Sequence, residues 1–152
     1  MSYFMDEALK EALKGYVAGE TPVGCVITDK DEIISRAHNT VETLQDSTMH
    51  AEIIAIKKAA SYTKNWRLKN LKMYVTLEPC LMCAGAILNS RISQVHIGVL
   101  DKERGALVSK IPIVKDELIP CDLTVYIYND VRCEYLLKRF FKNLRNNKKT
   151  LL

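Results

Sequence analysis

The stretch Lys72-Met73-Tyr74-Val75-Thr76-Leu77-Glu78-Pro79-Cys80-Leu81-Met82-Cys83 decides how the rest of the 152-residue chain is read. Lys72 to Leu77 carries aromatic and β-branched side chains that suit a strand in a half-buried sheet. Pro79 then opens a helix, because proline is tolerated where the first helical turn has no amide partner. Cys80 and Cys83 are three apart and share one face of that helix, at the end where thiolates are favoured. A strand running directly into a helix that carries two thiols is a β-to-α junction with chemistry placed on it.

Outward from this junction the pattern repeats. Residues 3 to 18 set Phe4, Ala8, Leu9, Ala12, Leu13, Tyr16 and Val17 at helical spacing, with Asp6 and Glu7 in the first turn and Gly19 as stop. Pro22 to Thr28 and Glu32 to Arg36 are short β-branched runs joined by Asp29-Lys30-Asp31, which predicts a hairpin. Thr48 stands where it can cap a second helix through Ala60, whose apolar face is Ile53, Ile54, Ile56 and Ala60. Gln94 to Val99 and Leu123 to Tyr128 are further strands, and a last helix runs from about Asp130 to Asn147. Strands alternating with helices after a hairpin predict an α/β fold, with a mixed sheet covered by helices on both faces. No linker or repeat interrupts residues 1–152, which form one domain, residues 130–152 being a basic C-terminal helix and tail.

Composition agrees, at 48% hydrophobic and 26% charged, and excludes disorder and collagen-like repeats. A chain of this length buries roughly 68–70% of its unfolded surface, so a core forms without disulfides. The five cysteines are an odd number, and the N-terminus resembles no signal peptide, which together imply a reducing, cytoplasmic location. The longest uncharged stretch, Pro79 to Ser90, has 12 residues, against about 20 for a membrane span. Net charge is +4, but no acidic residue follows Glu134. Lys138, Arg139, Lys142, Arg145, Lys148 and Lys149 give the tail +6, leaving −2 for residues 1 to 134. A basic C-terminal helix suggests contact with phosphate or another polyanion. Lys138, Lys142, Arg145 and Lys149 fall on one stripe of it, and Leu136, Phe140 and Leu144 on another that can dock on the body.

A single Cys-x-x-Cys fits a redox pair, half a structural zinc site, or two buried cysteines. Cys25, Cys121 and Cys133 are scattered and expected as small core residues, so a metal would need ligands of another type. His50 and Glu52 open the second helix, and residues two apart on a helix point about 200° from each other. They can converge only beyond its N-terminal end. Two helix N-termini facing each other would supply one nitrogen and two sulfurs to a tetrahedral Zn²⁺ with one position open for water, the mark of a catalytic site. Glu52, kept off the metal, could then accept and return the proton of that water. His-Ala-Glu followed by Pro-Cys-x-x-Cys is the signature of zinc nucleobase deaminases.

The likeness extends beyond that signature. Thr76 to Ile87, with Glu20-Thr21-Pro22-Val23-Gly24, Asn39, His50-Ala51-Glu52 and Asp101 to Ala106, resembles the bacterial tRNA-specific adenosine deaminases over nearly the whole chain. The resemblance implies a cytidine deaminase-like three-layer α/β/α sandwich with a mixed central sheet. It also implies a homodimer with one Zn²⁺ per subunit that converts the wobble adenosine of an arginine tRNA anticodon stem-loop to inosine. The family's zinc ligands fall on His50, Cys80 and Cys83, and its proton shuttle on Glu52. Its substrate contacts fall on Asn39 and on Asp101, beside the base preceding the target. Phe140-Phe141 with Arg145 resembles its tRNA-binding helix, adding Phe141 and Arg145 to the substrate-binding set. The pattern departs at Ser47-Thr48-Met49 and at Cys121-Asp122.

Three rivals are weaker. A deaminase of a free base or nucleoside, such as guanine or cytosine, has little need of a basic tail. A non-catalytic zinc-bearing RNA-binding subunit has no use for Glu52, and a thiol oxidoreductase leaves His50 and Glu52 unexplained. His38 and His96 are expected to be structural or surface histidines.

Overall fold

A computed structural model describes residues 2–119 and 121–150; the side chains of Lys148 and Lys149, counted in the basic tail, lie outside the described set. The order is α1 (Tyr3–Val17), β1 (Gly24–Asp29), β2 (Glu32–His38), α2 (Val41–Leu44), α3 (Ala51–Thr63), β3 (Lys72–Leu77), α4 (Leu81–Ser90) and β4 (Gln94–Val99). A 3-10 turn (Ile113–Lys115), β5 (Thr124–Ile127) and α5 (Val131–Thr150) follow. The sheet order is β2-β1-β3-β4-β5. β1 runs antiparallel to both neighbours, while β3, β4 and β5 are parallel, so the sheet is mixed as expected.

Alternation along the strands sets the layers. Cys25 and Ile27, Met73 and Val75, and Val95 and Ile97 pack with Ala51, Ala55 and Ala59 of α3 and Ala84 and Ile87 of α4. Val26 and Tyr74, pointing the other way, pack with Met5 and Ala8 of α1 and Cys133 of α5. α1 lies so close that a Cβ on Gly24 would sit 1.9 Å from the Ala8 carbonyl oxygen, so only glycine fits there. The pocket described below lies beyond the C-terminal ends of β3 and β4, where open α/β sheets collect their ligands.

Local expectations need correction at five points. Thr48 does not cap α3; its hydroxyl donates to Asp46 Oδ1 at 2.7 Å, and His50 is the N-cap residue. The buried face of α3 is Ala51, Glu52, Ala55 and Ala59, with Ile53, Ile54, Ile56 and Ala60 only half-buried. Small residues take the line of closest approach to the sheet and the isoleucines flank it. Pro79 precedes the helix it was expected to open, because its carbonyl still accepts from Ala106 N at 2.9 Å, and Cys80 is the N-cap. Cys121 is half-exposed rather than core, unlike Cys25 and Cys133. On α5 the docked residues are Cys133, Leu136 and Leu137, with Phe140 half-buried, whereas Leu144 is exposed. Among the described residues no helix is long and apolar enough to cross a membrane.

Candidate active site

α3 and α4 begin at the same place. His50 and Cys80 are their N-cap residues, both in extended conformation, and Cys83 lies in the first turn of α4. His50 Nδ1 lies 3.6 Å from Cys80 Sγ and 3.5 Å from Cys83 Sγ, and the ligand atoms of the three residues all lie within 4.8 Å of one another. A tetrahedral zinc with Zn–S of ~2.3 Å and Zn–N of ~2.0–2.1 Å requires a nitrogen-to-sulfur edge of ~3.6 Å. The donor set therefore fits zinc as it stands. Three protein donors leave a fourth position for water or substrate.

The three donors shift one another's protons. A hydrogen bond from the Cys83 thiol, helped by His50 and opposed by burial, pulls the Cys80 thiol down to about 3. Cys83 is pushed the other way by the same hydrogen bond and by burial. His50 is raised by its hydrogen bond to Cys80. Glu52, in the first turn of α3, is only 3% exposed. Burial pushes its carboxyl up to about 7, against its own backbone N–H and the His50 charge. It lies outside the three-donor set but hydrogen-bonds with Cys83, so it stands beside the metal position rather than on it.

His50, Glu52 and Cys80 border a cavity of about 220 Å³. That is below the ~300–1,000 Å³ of ordinary small-molecule pockets and suits one base-sized group. Each of its two walls is held by a buried glutamate. On one side Glu20, fully buried, accepts from Asn39 Nδ2 at 3.0 Å and from the backbone N–H groups of Glu42 at 3.2 Å and Thr43 at 2.7 Å. On the other, Glu78 accepts from the N–H groups of Asp101, Leu107, Val108 and Ser109 at 2.8–3.3 Å and from the Ser109 hydroxyl. A Cβ on Gly105 would lie 2.3 Å from the Glu78 carboxylate, so glycine lets this loop close. Burial alone would raise both carboxyls, but the hydrogen bonds prevail and hold them below the usual range. Neither glutamate stands out in the sequence as a site residue. The signal was there, because each lies within two residues of a proline at a junction where a carboxylate must find donors or stay wet.

Asp101 and Arg104 border both this cavity and a larger groove that runs to α5 and includes Lys138, Phe141, Lys142 and Arg145. Asp101 Oδ1 closes its own turn by accepting from Glu103 N at 3.0 Å and Arg104 N at 3.1 Å. Phe140 meets Tyr16 edge-on at 6.1 Å, while Phe141 remains 42% exposed on the groove. The fold thus gathers His50, Glu52, Cys80, Asn39 and Asp101 around one cavity, with Cys83 behind them, and puts Phe141 and Arg145 on the adjoining groove. Arg104 was missed, since one arginine in the charged run Asp101 to Arg104 carries no pattern. His38 sits 3.4 Å from Glu11, and His96 is stacked between Tyr74 and Tyr126, both away from the cavity.

Residues 1–99 match the family model for the cytidine and deoxycytidylate deaminase zinc-binding region. The chain belongs to this deaminase family. It is 43% identical over 145 residues to the tRNA-specific adenosine deaminase of Aquifex aeolicus (strain VF5), covering 95% of this chain and 96% of that protein. The tRNA-specific adenosine deaminase of Bacillus subtilis (strain 168) is 40% identical over 147 residues, covering 96% and 91%. A structure from studies of A-to-I editing by tRNA:A34 deaminases at the wobble position of transfer RNA superposes with a TM-score of 0.86 at 33% identity, over 90% of this chain and 100% of that one. Bacillus subtilis guanine deaminase gives a TM-score of 0.64 at 30% identity, over 96% and 95%. The deaminase has the cytidine deaminase-like fold, and its cofactor is zinc, which the His-Cys-Cys donors fit.

Proposed function

We propose that this deaminase converts adenosine to inosine at the wobble position of a tRNA anticodon stem-loop, an arginine tRNA being the first candidate. The observation that carries this is a base-sized cavity over a His-Cys-Cys metal nest, continuous with a groove flanked by a basic helix. The tRNA-specific adenosine deaminases that it resembles over nearly its full length support the same substrate. A free guanine or cytosine would fill the cavity and leave the groove without a task.

Water adds to C6 of the base, the C6–amino bond breaks, and the products are inosine and ammonia. His50, Cys80 and Cys83 would hold the zinc, which would supply Lewis acidity that makes water a nucleophile near neutral pH. Glu52 takes one proton from the attacking water and delivers it to the ring nitrogen, then takes the proton of the new C6 hydroxyl and passes it to the departing amino group, so one carboxylate is base and acid in turn. Its burial keeps bulk water from competing for that proton. Asn39 orients the base, and Asp101 meets the nucleotide before it. Phe141 and Arg145 hold the loop backbone and bases along the groove, with Lys138 and Lys142 beside them. An anticodon loop suits this arrangement because its bases are already single-stranded and enter a pocket at low unstacking cost.

Two copies pair as a homodimer, which the exposed Leu81 and Met82 on the first turn of α4 support, and the enzyme works in the cytoplasm with its tRNA. The test is incubation with total tRNA followed by nucleoside analysis. Inosine at the wobble position, with free guanine and cytosine untouched, is the expected result. Rapid turnover of guanine with tRNA unchanged would overturn the proposal.

A further inference from the structure

Asn39 is buried to 7% exposure at the edge of the cavity, and an asparagine amide can sit in either of two orientations that differ by exchanging a donor for an acceptor. A buried carboxylate fixes it. Glu20 Oε2 lies 3.0 Å from Asn39 Nδ2, and an ionised carboxylate only accepts, so the amide nitrogen must face it. The reversed amide would set two oxygens against each other at hydrogen-bond distance. Glu20 is 0% exposed and lies behind Asn39, absent from the cavity lining. Its remaining acceptors are used on Glu42 N and Thr43 N, which lock the α2 segment to the same carboxylate. The cavity therefore meets Asn39 in one state only, with its second amide N–H and its Oδ1 free for the base.

We infer that Glu20 is a positioning residue for substrate recognition, acting through the amide of Asn39. Adenine presents an acceptor, N7, beside a donor, its amino group, and an amide held in one orientation can match that pair. An amide free to flip would spend part of its time with like groups opposed. Guanine presents two acceptors on the same edge, N7 and O6, which an amide cannot satisfy together. Glu20 thus contributes to the choice of base without touching it.

The inference rests on the adenosine reading above, and the experiment separates the two. The wild type, Glu20→Gln, Asn39→Ala and the double variant are compared for kcat/KM on an anticodon stem-loop, with zinc content and thermal melting measured on each. Glu20→Gln can accept from or donate to Asn39, so it frees the amide while keeping the side-chain shape. The expected loss is about 10- to 100-fold, in line with misplacement of a contact group by about 1 Å. In the Asn39→Ala background, the same change should cost less than about twofold, because nothing is left for Glu20 to orient. Losses that multiply would mean that Glu20 acts through α2 and not through Asn39, and the inference would fall. If Glu20→Gln loses its zinc or its cooperative melt, the cycle is repeated with Glu20→Asp, which keeps the charge but withdraws the oxygen from Asn39. A folded Glu20→Asp protein with wild-type kcat/KM would equally overturn it. A wild type inactive on the stem-loop fails the functional proposal instead.

Discussion

The floor of the cavity and its rim are built on different principles. On the floor, His50, Glu52, Cys80 and Cys83 are held by the starts of two helices, and local geometry settles where they point. At the rim, Asp101, Arg104, Phe141 and Arg145 come from a loop and a distant helix, and they border one groove only because the chain folds back. Floor residues are buried or half-buried and hydrogen-bonded to one another. Rim residues such as Phe141 and Arg145 stay exposed. Bond-making chemistry needs positions fixed to a fraction of an ångström, whereas holding a flexible RNA loop needs charge and stacking surface that can adapt.

The largest effects are expected at the floor. Glu52→Ala should keep one zinc per chain and lose ~10²–10⁴ in kcat, the usual contribution of a proton-transferring side chain. Cys83→Ala should lose both the metal and the activity. Metal analysis beside single-turnover kinetics checks the pair. Loss of zinc from Glu52→Ala would make Glu52 part of the metal's support and remove it as the shuttle.

Glu78 is where floor and rim join, since it lies two residues before Cys80 and holds the loop that carries Asp101 and Arg104. Glu78→Gln turns one acceptor oxygen into a donor facing other donors. The expected cost is about 1–3 kcal/mol of stability from the buried groups left unsatisfied. Catalytic efficiency on the stem-loop should fall by about 10- to 100-fold through misplacement of the loop. Zinc should stay bound, because none of its ligands is a partner of Glu78 in these hydrogen bonds. Calorimetry with kinetics decides the matter, and an unchanged kcat/KM in a destabilised protein would reduce Glu78 to a stability residue.

The same division explains what the sequence could reveal. β3 and β4 have the bounds expected from their runs of strand-forming residues, and the metal set follows from two helix starts whose ligand spacing is local. Thr48 misled because its hydroxyl is used by Asp46 in a turn of its own, a competition between neighbours that periodicity does not register. The isoleucines of α3 misled because helix-to-sheet distance, set by alanines and by the whole sheet, decides which apolar residues are covered. Leu144 was expected to dock and does not, since a stripe on a helix says nothing about how far the body beneath it extends. Arg104 and the reach of Glu20 and Glu78 depend on loops brought together over 19 to 31 residues of separation, which no short window contains.

At the rim alone the effects should be smaller and carried by salt. Lys138, Lys142 and Arg145 border the groove. Changing all three to Gln should leave zinc and melting temperature nearly unaltered, since these side chains are exposed. If each meets one phosphate, the slope of log affinity against log salt should become shallower by ~2, at ~0.7 per contact for single-stranded RNA. Titration of tRNA at several salt concentrations measures it. An unaltered slope would mean that the groove is not the RNA path, and the contrast between a rigid floor and an adaptive rim would lose its second half.

His96 provides the region that should belong to neither. Its ring stacks on Tyr74 at 4.2 Å and on Tyr126 at 4.5 Å, with Tyr128 hydroxyl 3.1 Å from Nδ1 and Gln94 3.4 Å from Nε2. Burial, reinforced by the charge of Lys72, pushes its pKa down to about 4. An unfolded histidine titrates near 6.5, so between about pH 6.5 and 4 the unfolded chain binds a proton that the folded one refuses. Stability from this group is therefore whole above pH 6.5, drains as pH falls toward 4, and changes no further below that. Carboxylates titrate in the lower part of the same range, but equally in a His96→Phe variant, which keeps an aromatic ring between the two tyrosines. The difference between the two proteins isolates the histidine: wild type should lose stability more steeply than His96→Phe on going from pH 6.5 to 4.5, by urea unfolding. At neutral pH the variant should deaminate the stem-loop at the wild-type rate, because His96 borders neither the cavity nor the groove. A large change in kcat/KM would show that the sheet beneath the pocket tunes it, and the line between floor and scaffold would have to be redrawn.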